Sequence, residues 1–433
     1  MPPKASRHPD TIPCLVYAND RGEIIDFPDL NMAGRGGAFC GVPDLADLIP
    51  LPEGSELFLL PQRKPMGIQP RTGKLVTLEK NPLAPRAGIQ AVAAFMAPAH
   101  TVTLTAAFKK DQVELAPLPL FAYAAVGWHR GRFWAAGFRS DPDTRQEFAH
   151  VNPDTIEQRT RQRMQECPDN RLIQHLGKCS LTYGCPAAKN YFLGRFEAPL
   201  PTSPACNAAC LGCISLQPSG CCPATQDRIR FVPSAAEITE VAVPHLQQAK
   251  RPVVSFGQGC EGEPLLQAET IGAAIRAIRK QTSRGTINLN SNASRPEAVA
   301  LLAAAGLDSI RVSMNSARPE KHRLYYRPTG FGFTEVMESI SIMKKQGKWV
   351  SLNYFILPGF TDDPEEFAAL CDLVAARKPD LIQLRNLNMD PDWYLEEMGH
   401  HPIVKPMGIR HWLAELKKRF PALRFGYFNP PLG

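Results

Sequence analysis

Three thiols fall within eight residues, Cys206-Asn207-Ala208-Ala209-Cys210-Leu211-Gly212-Cys213, in the spacing C-x3-C-x2-C. A loop this tight can turn three sulfurs toward one face of a small inorganic cluster. Cysteine thiolate is the usual protein ligand of a cubane [4Fe–4S] cluster. Three thiolates leave the fourth iron open to a small molecule, and an open coordination position separates a catalytic metal site from a structural one. The competing reading is a structural zinc knot with Cys221 or Cys222 as fourth ligand, although zinc sites more often pair two C-x2–4-C units.

A second stretch with chemical potential lies downstream, Gly257-Gln258-Gly259-Cys260-Glu261-Gly262-Glu263-Pro264. Glycines let a backbone approach a ligand closely, and a carboxylate accepts from an ammonium. Cys260 in this loop reads as a buried thiol, a hydrogen-atom donor or a further cluster ligand. Short amides and hydroxyls follow at Asn290-Ser291-Asn292 and at Ser313-Met314-Asn315. Such groups both donate and accept, which suits a ribose diol; each also has an ordinary reading as a turn or cap residue. Cys167, Cys179 and Cys185 precede the three-thiol loop, and Cys221 and Cys222 follow it. They read either as the ligands of a second iron–sulfur cluster or as scattered core thiols.

The elements that must position these residues change character along the chain. Residues 1–11 read as a disordered tail. Residues 12–140 carry short β-like runs divided by turn residues, such as Cys14–Ala18 and Glu23–Ile25 around Asn19-Asp20-Arg21-Gly22. A second hairpin, with Arg and aromatic residues around His129-Arg130-Gly131, reads as a solvated turn with its aromatics in the core. Residues 141–193 form a polar, cysteine-containing connector. Residues 194–390 alternate short apolar strands with helical patterns six times, the sign of a parallel sheet. Ser234 with Glu237 predicts a capping box, and Gly306 a helix stop. Residues 391–433 add a helix, a final strand at 423–428 and no cysteine. The expected fold class is α/β: a partial (β/α)6 TIM-like barrel behind a mostly β N-terminal region. Ligands of parallel α/β folds bind at the C-terminal ends of the strands, where the residues singled out above fall.

The C-x3-C-x2-C loop at the mouth of a β/α repeat resembles the radical S-adenosylmethionine (radical SAM) superfamily, and the resemblance covers about residues 194–390. It implies that Cys206, Cys210 and Cys213 hold a [4Fe–4S] cluster whose open iron chelates SAM. Reductive cleavage would then release a 5′-deoxyadenosyl radical. Gly262, Glu263 and Pro264 match the family's GGEP motif, which meets the methionine amino group, although Glu261 stands where the motif has its first glycine. Asn290, Ser291, Asn292, Ser313 and Asn315 fall where the family often contacts SAM. The resemblance also implies a reductant such as flavodoxin or ferredoxin. The substrate stays open among a peptide or protein, an RNA and a small metabolite. The rival from another class is a non-catalytic zinc- or cluster-binding interaction protein.

Length and composition bound these readings. The chain has 433 residues, 44% of them hydrophobic, enough for a packed core. The net charge of +7 is spread thinly rather than gathered into the basic stripe of a nucleic-acid binder. No run reaches the ~20 apolar residues of a membrane span. The N-terminus lacks the apolar stretch of a secretion signal, so a cytoplasmic location is expected. The twelve cysteines are then expected as thiols or metal ligands rather than disulfides.

Overall fold

The computed structural model describes residues 10–432, apart from 113, 218, 219, 221 and 403. Most of the expected N-terminal tail, and Cys221, lie outside the described residues. The chain divides into two units. One comprises Met1–Pro142, Phe355–Cys371 and Leu384–Pro421; the other comprises Asp143–Tyr354, Asp372–Gln383 and Ala422–Gly433.

The first unit is mostly β, as the sequence suggests. Strand Cys14–Asn19 is apolar on both faces and pairs antiparallel with Ile24–Met32, Ile89–Phe95 and Val126–His129. Its Val16 and Ala18 pack with Val92, Ala94, Val126 and Ala135 in one apolar cluster. The first hairpin closes as its sequence predicts: Asn19 Oδ1 accepts from the backbone N–H of Arg21 and of Glu23, and Gly22 takes a φ of 78°. At the second hairpin Arg130 and Gly131 both have positive φ, and Trp134 is buried while Trp128 and Phe133 meet edge to face. A buried ion pair, Arg63 Nη2 to Asp390 Oδ2 at 2.9 Å, secures residues 384–421 within this unit, with Leu118 N–H donating to the same oxygen.

The second unit begins with three helices, α1 (Pro153–Glu166), α2 (Arg171–Leu181) and α3 (Pro186–Phe192). The strands that follow lie side by side in sequence order: β1 (Arg195–Pro199), β2 (Lys250–Phe256), β3 (Thr286–Ser291), β4 (Ser309–Met314), β5 (Trp349–Ile356), β6 (Leu381–Asn386) and β7 (Arg424–Gly426). Pairing is parallel from β1 to β5 and between β6 and β7, and the sheet curls as a half-barrel. The connections carry α4 (Ala235–Gln248), α5 (Ala268–Gln281), α6 (Pro296–Ala305), α7 (Pro319–Tyr326), α8 (Phe333–Lys345) and α9 (Pro364–Arg377), although most of α9 and the ends of β5 and β6 are counted with the first unit. The capping box of Ser234 and Glu237 opens α4, and Gly306 ends α6 in the left-handed region at φ 115°.

Two differences from the sequence reading affect the site. The final strand is not an appendage but a seventh barrel strand beside β6, so the sheet has seven strands rather than six. Tyr325-Tyr326-Arg327-Pro328-Thr329-Gly330, whose sequence reads as an aromatic and basic loop above the expected site, is not wholly a loop: its tyrosines end α7, a helix with Pro319 in its first turn.

One face of the sheet packs against helices with apolar side chains; the other is polar. Adjacent strands place Ser255, Asn288 and Ser309 in one row. Ser309 Oγ donates to Asn288 Oδ1 at 2.7 Å, and Asn288 Nδ2 donates to Ser255 Oγ at 3.2 Å and Asn290 Oδ1 at 2.8 Å. Asn429, just past β7, donates to Glu197 Oε1 at 2.7 Å and accepts from Gln383 Nε2 at 2.9 Å. Buried polar groups are tolerated only when paired, and this network pairs them across five strands and the chain's last turn.

Candidate functional site

The three-thiol loop leaves the C-terminal end of β1 and is held on both flanks by backbone hydrogen bonds. On one flank stands the Gly257–Pro264 loop after β2. Glu261 Oε2 accepts from Thr202 N–H at 2.8 Å and Ser203 N–H at 3.0 Å. Gly262 N–H donates to Ser203 O at 2.7 Å, and Glu263 N–H to Ala205 O at 2.8 Å. The two loops run so close that a Cβ on residue 262 would collide with the Ala205 carbonyl, which is why glycine stands there. On the other flank is the end of α7. Ala209 N–H donates to Tyr326 O and Leu211 N–H to Tyr325 O, both at 3.0 Å. Asn207 joins the two sides: its carbonyl accepts from Thr329 N–H, its Oδ1 accepts from Asn292 Nδ2 and its Nδ2 donates to Ser294 Oγ, the last two at 2.9 Å.

Cys206, Cys210 and Cys213 are half-buried, and charge on Cys213 is felt by both Cys206 and Cys210. Burial pushes the Cys206 thiol up to about 11, with Glu263 adding to the effect. Burial also drives Cys210 well above the ordinary thiol range, and the charges of Cys206 and Cys213 drive it further. Thiolates that raise one another's pKa by charge are stabilised by a cation among them, so the donor set fits a metal cluster. Arg228 stands beside the group, with Nη2 3.4 Å from Cys213 Sγ and Nε donating to Ser215 Oγ at 3.1 Å. A guanidinium there opposes net negative charge on the loop. Nothing in the Arg228 segment announces that role from sequence.

The residues singled out for a ligand gather next to this loop. Glu263 is buried, and burial raises its carboxyl to about 7 against three hydrogen bonds that lower it. Its Oε1 accepts from Ser291 Oγ at 2.6 Å and Leu265 N–H at 3.0 Å; its Oε2 accepts from Asn292 N–H at 2.9 Å. Glu263 therefore ties the β2 and β3 loops together, opens the turn at Pro264 and keeps acceptor capacity on Oε2. Asn290 faces inward, donating to Gly257 O at 3.0 Å. Glu261, where the sequence departs from the family motif, is the anchor of the β1 loop; burial raises its carboxyl to about 7 as well. On β4, Ser313 lies opposite Asn353 of β5, and Asn315 donates to Lys321 O at 3.2 Å. Asn353 is buried, and its Oδ1 has no hydrogen-bond partner among the described residues. A buried amide oxygen without a partner is uncommon, so this atom stands out on the polar face of the sheet.

The other cysteines do not gather as one set. Cys167 caps α1, with its thiol 3.5 Å from Glu240 Oε1. Cys222 is buried downstream of the loop. Cys179 instead meets Cys260 and His175, with the three ligand atoms all within 4.8 Å of one another. Cys185 packs on the same group. Hydrogen bonds from Cys260 and His175 favour the Cys179 thiolate and pull that thiol down to about 5. Sequence reasoning missed His175, Glu197, Arg228 and Asn429. The nearest signal was the spacing of His175 and Cys179, four residues apart on one helix.

No helix among the described residues is long and apolar enough to cross a membrane. Among solved structures, the chain resembles methylornithine synthase, with 15% identity over 65% of this chain and 77% of that one and a TM-score of 0.38. It also resembles the FeFe-hydrogenase maturase HydG from Carboxydothermus hydrogenoformans, with 14% identity over 64% and 76% and a TM-score of 0.35. A curated relative, GTP 3′,8-cyclase of Aquifex aeolicus (strain VF5), is 38% identical over 104 residues. That stretch is 24% of this chain and spans about a third, 32%, of the cyclase. The family model of the Radical SAM superfamily matches residues 200–371, from the end of β1 into α9, and the chain therefore carries a Radical SAM superfamily domain.

Proposed function

We propose that the protein is a radical SAM enzyme in which Cys206, Cys210 and Cys213 hold a [4Fe–4S] cluster. The observation that carries this reading is the loop of three electrostatically coupled thiols: a backbone clamp on each flank fixes it, and the donor set needs a cation to sit as thiolates. When bound, the cluster supplies the electron that cleaves S-adenosylmethionine, and the 5′-deoxyadenosyl radical takes a hydrogen atom from substrate. Gly262, Glu263 and Pro264 with Asn290, Ser291 and Asn292 form the near wall for S-adenosylmethionine. Glu263 Oε2 offers an acceptor for its ammonium, and Ser313 and Asn315 flank the ribose side. Asn353 meets a polar group of the bound ligand or the substrate. The polar floor built from Glu197, Ser255, Asn288, Asn290, Gln383 and Asn429 is already internally paired, so it shapes the barrel. The reductant is a low-potential electron carrier such as flavodoxin or ferredoxin. The superfamily match weighs against a non-catalytic zinc- or cluster-binding interaction protein.

The test is anaerobic reconstitution followed by chemical reduction in the presence of S-adenosylmethionine. 5′-Deoxyadenosine and methionine should form, and Cys210→Ala should abolish both products, because two thiolates cannot hold a cluster with one open iron. Continued 5′-deoxyadenosine formation by that variant would show that the loop is not the cluster site.

A further inference from the structure

We propose that His175, Cys179, Cys185 and Cys260 form a second metal site, a mononuclear one of the zinc type with three thiolates and one imidazole. Helix α2 puts His175 and Cys179 one turn apart on the same face. Cys179 is 2% exposed and Cys260, from the loop after β2, is 5% exposed. His175 Nε2 lies 3.6 Å from Cys179 Sγ, and all three ligand atoms fall within 4.8 Å of one another. Zinc–sulfur bonds of about 2.3 Å and zinc–nitrogen bonds of about 2.0 Å give a tetrahedron with edges of about 3.5–3.8 Å. The observed spacing is close to that. Thiolates on different iron atoms of a cluster stand farther apart than ligands sharing one ion, so the geometry favours a single ion.

Cys185 lies outside the three whose ligand atoms fall within 4.8 Å of one another but packs beside them, and a turn of its side chain brings it to the fourth position. It caps α3, its N–H donates to Cys179 O at 3.0 Å, and it packs in one cluster with Cys179, Ala188, Cys260 and Tyr183. The set is a Cys3His donor group, which zinc closes completely and holds without redox change. Binding replaces the thiol protons, which leave to solvent.

The location gives the ion a purpose. Three of its ligands sit on the helical segment before the barrel, and the fourth is Cys260. That residue precedes Glu261, which anchors the β1 loop, and Gly262 and Glu263, which run against it. Cys260 O also accepts from Ile229 N–H at 2.7 Å, tying in the chain after Arg228. An ion at this point pins the outer end of the loop whose inner end clamps the three-thiol motif. It is a structural device that holds the catalytic loops in register.

The experiment uses the full chain with Cys206, Cys210 and Cys213 all changed to Ser, so that iron at the three-thiol loop does not enter the count. Metal analysis should find about one zinc per chain, with little iron or sulfide. Adding Cys179→Ser or His175→Ala should reduce zinc at least tenfold, whereas adding Cys167→Ser should retain it. The unsubstituted chain, grown on cobalt, should show thiolate-to-cobalt charge transfer and the strong visible bands of a tetrahedral site; this measurement needs no variant to fold. Four results would each overturn the proposal: iron with sulfide in place of zinc, a Cys179–Cys260 disulfide without metal, zinc unaffected by Cys179→Ser, or cobalt bound only in octahedral form. None of these outcomes depends on whether the protein cleaves S-adenosylmethionine.

Discussion

The two thiol groups of the barrel unit are built in opposite ways. Cys206, Cys210 and Cys213 are neighbours in sequence, on one short loop held by backbone bonds beside the β2 loop and to the end of α7 and by the side chain of Asn207. His175, Cys179 and Cys260 are separated by up to 85 positions, yet helix α2 and the loop after β2 bring them together. An open, chemically active site needs ligands on one short loop so that a face stays free. A closed site needs ligands from several elements so that none stays free. The first arrangement can be read from spacing; the second cannot, because spacing says nothing about which distant elements meet.

The comparison is tested most severely at Gly262. Its missing Cβ lets the β2 loop run against the β1 loop, so Gly262→Ala must push the Ala205 carbonyl away and break the bonds from Gly262 and Glu263. The strain should cost ~2–4 kcal/mol locally. Iron retention and 5′-deoxyadenosine formation should collapse, while zinc bound through α2 and Cys185 should largely remain. Equal loss of both metals, measured in one preparation, would mean that the two sites are not separately supported.

Glu263 gives a smaller and more selective effect. Glu263→Ala removes the acceptor for Ser291, Asn292 and Leu265 and the carboxylate proposed to meet the ligand ammonium. A charge-assisted hydrogen bond contributes about 1.5–3 kcal/mol, so S-adenosylmethionine affinity should fall roughly ten- to hundredfold with iron content preserved. Calorimetric titration of reconstituted protein checks this. Glu263→Gln keeps most of the local acceptors but not the charge, and it should recover stability more than affinity. If both variants bind S-adenosylmethionine as tightly as the unsubstituted chain, Glu263 serves the loops alone.

What sequence could reveal follows the same division. Gly262-Glu263-Pro264 was legible because a motif one strand after three thiols is local. The six-fold alternation of apolar strands and helices was legible because each repeat carries its own caps, as at Ser234 and Gly306. The seventh strand was recognised as a strand but not as part of the barrel, since three residues, Arg424–Gly426, carry no signal of the neighbour they pair with. Asn429 was invisible for the same reason: its value lies in reaching Glu197, Ser255, Asn290 and Gln383 from more than forty residues away. The end of α7 was read as a loop because Tyr325-Tyr326-Arg327-Pro328 looks like one, although Pro319 in the first turn was a start signal in plain view.

The smallest effect probes the α7 clamp without touching either thiol group. His322 is buried against Tyr326 and Phe333, with ring centroids at 4.5 and 5.3 Å, and its Nε2 has no hydrogen-bond partner among the described residues. Burial therefore lowers its pKa to about 4, from an ordinary value near 6.5. The unfolded chain binds a proton in the interval between these values and the folded chain does not, so stability is fully present above about pH 6.5 and is lost as pH falls toward 4. At pH 5.5 the loss is about 1.4 kcal/mol. Because Tyr326 O receives the Ala209 N–H, the loosening should reach the three-thiol loop and leave the Cys3His group alone. His322→Phe keeps a ring of similar size and removes the proton. Thermal melts between pH 8 and pH 5.5 should fall less steeply for His322→Phe than for the unsubstituted chain, and iron should be released from the unsubstituted chain before zinc. Identical slopes for the two proteins would remove His322 from the clamp, and release of zinc before iron would reverse the order of rigidity assigned to the two sites.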